Sequence, residues 1–270
     1  MRYEESDEFK LLCARVDELF DRAAGDLAAS RFLTPAEQYF TARRLAASGR
    51  SVRTLFFGGA PGAQRKKLFV LPDYLVALAE DGDLFDTARQ FLGEDAFGDI
   101  QVLKLSGGGF RDFSHRDYLG SLLSLGIERA VLGDIAPIDD YSAYIFVDRR
   151  VAGFLLGSEL RVANDRVKVA RAVLPAGYEI VRKFKPIADT VASARLDGVV
   201  AALCNLSREA AKDKLAAKEV EHNYETAEKT DTPVSAGDVI SVRGVGKFEV
   251  ESVSDPTKKG RYRLIAKKYI

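Results

Sequence analysis

The spacing of apolar side chains divides the chain into segments of different character. Over residues 4–24, Phe9, Leu12, Cys13, Val16, Leu19 and Phe20 recur at helical intervals among charged positions, which predicts an amphipathic helix. Thr34-Pro35-Ala36-Glu37 announces a second helix. It combines a capping threonine, a proline at the first helical position and a glutamate three residues after the cap, and Gly49 supplies the stop. Residues 52–57 and 68–71 read as strands joined by a glycine-rich basic loop, and residues 83–92 as a helix. Together these elements predict an N-terminal α/β domain over residues 1–98.

From residue 99 the pattern changes to short strands alternating with helices. Strands are expected at 100–105, 130–135, 143–147 and 167–173, with helices at 114–125 and 149–161. The order β-α-β-β-α-β predicts a ferredoxin-like (RRM-like) middle domain over residues 99–178, one antiparallel sheet with both helices on one face. RNA-binding modules of this shape stack bases on exposed sheet aromatics. Here the central strands offer Val102, Leu103, Leu105, Tyr144 and Phe146 without a Gly-Phe-aromatic run, so these side chains are read as core. A basic stretch at 179–187 reads as strand or linker. Two short helices, 193–203 and 207–218, then meet at an Asn205-Leu206 turn. Strands follow at 220–224, 239–243, 247–253 and 262–267, with turns at Gly237-Asp238, at Gly244 to Gly246 and over 255–260. This is a third small domain, residues 188–270, and the expected class is α+β with three domains.

Composition narrows the functions open to such a chain. Of 270 residues, 47% are apolar and 30% charged, the balance of a folded protein rather than a disordered one. No apolar run approaches the roughly eighteen residues of a membrane span, and the acidic start lacks the apolar centre of a signal peptide. Cys13 and Cys204 stand far apart without partner motifs, and the only histidines are His115 and His222, so neither a disulfide nor a metal site is expected. The expectation is a cytoplasmic monomer without cofactor, metal or membrane. Formal net charge is zero, but residues 181–270 hold seventeen Lys or Arg against thirteen Asp or Glu, whereas residues 1–30 hold four against eight. A neutral chain with a basic end suits a polyanionic partner gripped by one module.

The candidate grip lies on the two short helices. Ser207 can cap the second; Arg208 and Lys212 then lie four apart on one face, and Lys214 and Lys218 four apart on a neighbouring one. Arg195 opens the preceding helix, Arg243 and Lys247 flank the Gly244 to Gly246 turn, and Lys258, Lys259 and Arg261 follow in the last hairpin. Phosphate contacts of this kind hold a folded RNA without reading its bases. Secondary RNA contacts are expected from Arg65, Lys66 and Lys67 in the glycine-rich loop and from His115 and Arg116 at the start of the middle domain's first helix.

The same residues carry a resemblance. Arg195-Leu196-Asp197, Ser207-Arg208, Asn223 and the run from Gly237-Asp238-Val239-Ile240 to Arg243-Gly244-Val245-Gly246-Lys247-Phe248 resemble the S-four domain, the RNA-binding module named after ribosomal protein S-four. Lys218 stands where that family often has a turn glycine, and His222 where it usually has valine. Upstream, Ser114-His115-Arg116-Asp117-Tyr118-Leu119-Gly120, followed by Gly133-Asp134-Ile135, is similar to the middle domain of the YlmH family. Phe56-Phe57-Gly58-Gly59-Ala60-Pro61-Gly62-Ala63-Gln64-Arg65-Lys66 is similar to its first-domain loop. The photosystem II S-four domain proteins are a close branch. The resemblance covers about residues 31–270 and implies a three-domain, non-enzymatic protein on the large ribosomal subunit. It further implies contacts with rRNA and tRNA during quality control of stalled translation; older assignments link relatives to cell division.

Competing signals are weaker. His115-Arg116-Asp117 mimics kinase lettering, but Leu122 occupies the position that needs asparagine. The loop over 58–67 lacks the Gly-Lys-Ser/Thr of a nucleotide cradle. Arg195-Leu196-Asp197 also matches the triplet around the catalytic aspartate of pseudouridine synthases, which leaves an RNA-modifying enzyme as the alternative and a protein scaffold as a third reading. Too little chain follows the triplet for a catalytic domain, so Asp197 is read as structural or as an orienter of Arg195.

Overall fold

The computed structural model describes residues 3–79, 82–93, 95–109, 111–255 and 260–270. The chain is α+β and divides into two compact units, Asp7–Val181 and Arg182–Ile270, the latter joined by the chain's start up to Ser6.

The first unit opens with α1 (Asp7–Arg22), whose Phe9, Leu12, Val16 and Leu19 point inward as their spacing requires. Strand β1 (Ala28–Leu33) leads into α2 (Pro35–Ala47). Here the capping box is complete: the Glu37 amide donates to Thr34 Oγ1 at 3.2 Å, and the Thr34 amide donates to the Glu37 carboxylate at 2.7 Å. Strands β2 (Thr54–Phe57) and β3 (Lys66–Val70) pair antiparallel, and β1 completes a three-stranded sheet in the order β1-β3-β2. Helices α3 (Asp73–Leu78) and α4 (Leu84–Leu92) follow.

Next come β4 (Ile100–Ser106), α5 (His115–Ser124), β5 (Leu132–Asp139), β6 (Ser142–Asp148) and α6 (Arg149–Gly157). A hairpin of two-residue strands, β7 (Arg161–Val162) and β8 (Asp165–Arg166), precedes β9 (Lys168–Arg171). The main sheet is antiparallel throughout and ordered β5-β6-β4-β9, so the first and third strands of the β-α-β-β-α-β series lie at its centre. Successive residues of a strand face opposite sides. Leu103, Leu105, Ile145 and Val147 accordingly join Tyr118, Leu122 and Leu155 of the helices in one core. Ile100 and Phe146, with Val102 and Tyr144 packed beside them, face another core that also holds Phe32, Phe69 and Ile180. From Asp7 on, the segments expected as two domains, 1–98 and 99–178, thus lie within one unit and share a core.

Gly133 sits at that junction. A Cβ there would lie 2.7 Å from the Phe32 ring and 3.0 Å from Phe146 Cβ, closer than packed carbons tolerate. Gly133→Ala is expected to destabilise this unit by about 1–3 kcal/mol through overpacking. Thermal unfolding would register this as a lowered midpoint; an unchanged midpoint would mean the two rings move aside freely.

The second unit is a sheet backed by two helices. It comprises β10 (Phe184–Val191), α7 (Leu196–Cys204), α8 (Arg208–Ala216), β11 (Val220–His222), β12 (Glu225–Thr226), β13 (Val239–Val242), β14 (Gly246–Val253) and β15 (Tyr262–Tyr269). The sheet order is β10-β15-β14-β13-β11-β12. The stretch read as strand or linker is the edge strand β10, paired with β15 from Phe184↔Tyr269 to Val191↔Tyr262. Leu196, Val199, Val200 and Leu203 of α7 and Ala211 and Leu215 of α8 pack on Ile240, Val242, Phe248, Val250, Leu264 and Ala266 of the sheet. Asn205 ends α7 in the left-handed conformation (φ 53°), which turns the chain sharply into α8.

Candidate nucleic-acid interface

The α7–α8 corner is organised around one carboxylate. Asp197 lies in the first turn of α7 with its side chain 1% exposed. Arg208, which opens α8, holds it with a fork: Nε to Oδ2 at 3.0 Å and an Nη to Oδ1 at 3.1 Å. The Gly198 amide donates to Oδ1 at 2.8 Å, and Arg195 Nε lies 3.8 Å from the same oxygen. Burial alone would raise the Asp197 carboxyl, but the Arg208 fork, the Gly198 amide and the two guanidinium charges hold it below the ordinary aspartate value. The carboxylate therefore stays ionised, fixes Arg208 and attracts Arg195; the two arginine side chains are about half exposed, at 49% and 46%. Asp197, expected to be structural or to orient Arg195, has Arg208 as its tightest partner.

The amides that open α7 are spoken for. Leu196 and Asp197 donate to Thr232 and Thr230 carbonyls, and Gly198 to Asp197 itself. Attraction for phosphate at α7 thus rests on side-chain charge. At α8, Ser207 caps as expected, its Oγ accepting from the Ala210 amide at 3.1 Å. Lys212 is exposed one turn further along.

The remaining cations are placed differently. Lys214 is ion-paired to Glu219 at 2.8 Å, and its ammonium with the nearby Arg243 charge lowers the Glu219 carboxyl. Lys218 is exposed and adopts φ 57°, the conformation for which glycine is the ordinary choice. Arg243 is exposed at the β13–β14 turn, its amide donating to the Glu219 carbonyl at 2.8 Å. Lys247 does not join the corner. Phe248 beside it is buried under the helices, so Lys247 lies on the opposite face of the sheet. Its Nζ sits 5.0 Å from the Tyr224 ring centre and 5.2 Å from that of Tyr269. Half-burial lowers its pKa. Arg261 lies against Thr190, donating from Nε to its Oγ1 at 3.0 Å. Lys258 and Lys259 fall outside the described residues.

Among the secondary candidates the structure corrects two. Arg65 is withdrawn from solvent, and its guanidinium donates to the carbonyls of Leu132 (2.9 Å), Arg129 (3.0 Å) and Phe32 (3.3 Å). Burial and the neighbouring Arg129 charge push its pKa down to about 10, so it remains a cation at neutral pH, but an inaccessible one. Lys67 is fully buried and bridges Asp99 and Asp148, the latter at 2.5 Å. Neither side chain can reach an RNA. Lys66 is half-buried at the start of β3. His115 and Arg116 are exposed at the first turn of α5, which Ser114 and Asp117 close with a reciprocal capping box.

Two features were not anticipated. Asp238 accepts from Asn223 Nδ2 and the Ser235 amide and contacts His222 Nε2, which ties the β11–β12 turn to the β13 entrance. Burial would raise that carboxyl; its His222 and Asn223 bonds outweigh burial and lower it. The Gly237-Asp238 turn signal was visible in the chain, but not its partners fifteen residues upstream. The other is the aromatic and cationic set Phe184, Tyr269, Tyr224, Lys247 and Lys267 on the helix-free sheet face. Among the described residues there is no group of three His, Cys, Asp or Glu able to hold a metal ion, and no helix long and apolar enough to cross a membrane.

Comparison with known proteins bears on both units. Residues 94–174 match the family described as "Putative RNA-binding domain in YlmH". The Ribosome-associated protein quality control protein P2 of Bacillus subtilis (strain 168) is 27% identical over 239 residues, covering 86% of this chain and 84% of that protein. Among solved structures, the Cell division protein ylmH from Streptococcus pneumoniae is 14% identical with a TM-score of 0.45, covering 62% of this chain and 93% of that one.

Proposed function

We infer that this chain, which carries the RNA-binding domain of the YlmH family over residues 94–174, is a ribosome-associated factor that holds structured rRNA of the large subunit. It does so as a monomer in the cytoplasm, with tRNA as a second contact, and acts in quality control of stalled translation. The B. subtilis relative, named as a ribosome-associated quality control protein, supports that setting.

One observation carries the reading. A buried carboxylate, Asp197, holds Arg208 with a two-bond fork, so one half-exposed guanidinium is fixed in place before any ligand arrives, with that of Arg195 beside it. Arginines ordered in advance lose less side-chain entropy on binding phosphate and offer directed donors. Lys212, Lys218 and Arg243 extend the charge around the helices. The middle domain would take part through the exposed start of α5, with His115 and Arg116, because its sheet leaves no stacking platform: Phe146 is 1% exposed and Tyr144 packs against the other core.

The three domains, 1–98, 99–178 and 188–270, are proposed as the functional divisions. Catalysis is not proposed. Asp197, the residue an RNA-modifying reading would need, is buried with both oxygens engaged.

Sedimentation through sucrose gradients tests the reading. The full chain is expected to travel with isolated large ribosomal subunits at low salt and to be released as salt rises. Migration with small subunits alone, or with neither subunit, would sink it.

A further inference from the structure

A cleft of about 270 Å³ runs between β10 and α7, beside the corner just described. Val191, Gly198, Ala201, Ala202 and Leu206 give it small apolar lining groups. Arg208 and Arg261 line it as well, and Ser193 and Asp189 add hydrogen-bonding groups. Both guanidiniums are anchored from behind, Arg208 on Asp197 and Arg261 on Thr190.

Gly198 is the telling residue. Glycine inside a helix costs about 1 kcal/mol relative to alanine. Neither backbone conformation nor crowding requires it here: its φ is not positive, and an added Cβ would meet only the Ser193 carbonyl oxygen, at an unstrained 3.6 Å. What a side chain at this position would do is occupy the cleft.

We propose that this cleft receives one unpaired nucleotide of the bound RNA, its base lying against Ala201 and Ala202 and its phosphates between Arg208 and Arg261. The mixed lining suits a base, which presents an apolar face and polar edges. The volume falls just below the roughly 300–1,000 Å³ of ordinary small-molecule sites, room for a single ring system. Charge selects the ligand, since two anchored guanidiniums in the lining complement a phosphate-linked ring. RNA recognition beyond the duplex commonly works by seating splayed-out bases in this manner. The inference rests on the RNA-binding reading above and adds a preference for an unpaired nucleotide.

The test compares two synthetic RNAs, a blunt duplex and the same duplex carrying one bulged adenosine, against the full chain. The native chain is expected to bind the bulged RNA about tenfold more tightly, the order of one seated base. Gly198→Leu and Ala202→Leu, one helical turn apart, fill the slot without removing a cation. Each is expected to abolish the preference; thermal unfolding verifies that both variants fold. Equal native affinity for the two RNAs overturns the proposal while leaving the RNA-binding reading intact, as does a preference that survives both substitutions. Failure of the native chain to bind either RNA at low salt overturns both.

Discussion

Replacing Lys67 with methionine is expected to lower the unfolding free energy of the Asp7–Val181 unit by about 3–5 kcal/mol, the range found when one partner of a buried ion pair is removed. Lys67 comes from β3, whereas Asp99 precedes β4 and Asp148 ends β6, so the ammonium ties the three-stranded sheet to the four-stranded one. Lys67 and Asp148 are both 0% exposed. Methionine matches the aliphatic stem and leaves little void, so the loss reports on charge. Asp148 would be left buried with only the Arg150 amide at 2.9 Å and its guanidinium at 3.1 Å. Burial by itself raises the Asp148 carboxyl; the Lys67 bond, the Arg150 amide and both charges outweigh burial and keep it below the ordinary aspartate value. A carboxyl depressed in the folded state stabilises fully above its unfolded pKa, near 3.9, and this contribution is lost as pH falls through the folded value. Lys67→Met removes the main depressing partner, so the variant's deficit is expected to shrink as pH falls and the orphaned Asp148 carboxyl takes up a proton. Adding Asp148→Asn keeps the cap on α6 without the charge and is expected to restore more than half of the loss. Urea titrations of the native, single and double variants measure this. A single-variant loss under about 1 kcal/mol would mean that water or rearrangement solvates the orphaned carboxylate.

The same lysine marks where reading the chain locally stops working. The capping box at Thr34 was legible because every participant lies within four residues. The two short helices and their Asn205 turn were legible for the same reason. Arg65 and Lys67, however, look like loop cations to anyone who cannot see Leu132, Arg129, Asp99 and Asp148, which lie 32 to 81 residues away. The strand β1 was missed because Ala28-Ala29-Ser30 carries little β preference; its pairing with β3 defines it. The helix α3, a short Asp73–Leu78 segment after a proline, has no room to display a period. Lys247 is a different failure, since the signal was present. Phe248 and Val250 alternate with Lys247 and Glu249, and a strand reading alone places the lysine on the face away from the helices. The middle domain's aromatics went the other way: lacking the run that exposes such rings, Tyr144 and Phe146 were read as core, and Phe146 is indeed buried.

Which cations matter for RNA is decided by salt dependence rather than affinity alone. Five exposed basic residues lie on the helices and the neighbouring turn: Arg195, Arg208, Lys212, Lys218 and Arg243. If all five meet phosphates, the logarithm of affinity should fall with the logarithm of salt at a slope of roughly −3.5 to −4.5. Removing Arg195 and Lys212 together as alanines is expected to flatten that slope by about 1.4–1.8 units, one increment of 0.7–0.9 per lost contact. Were the lines to converge at 1 M salt, the double variant would bind roughly 25- to 60-fold more weakly at 0.1 M. These two residues can be removed without breaking a hydrogen bond to Asp197, from which Arg195 Nε stands 3.8 Å away. Arg195 makes no side-chain capping bond at the start of α7, and Lys212 is exposed on α8. Arg208 cannot: its loss would leave the Asp197 carboxylate buried without its fork and mix unfolding into the binding measurement, at a cost of about 1.5–3 kcal/mol per charged hydrogen bond. Lys247→Ala serves as the internal control, since its ammonium lies over Tyr224 and Tyr269 on the other face and its loss should leave the slope untouched. A slope that stays put in the Arg195 and Lys212 double variant, or flattens as much in the Lys247 variant, would move the RNA from the helices to the opposite face of the sheet.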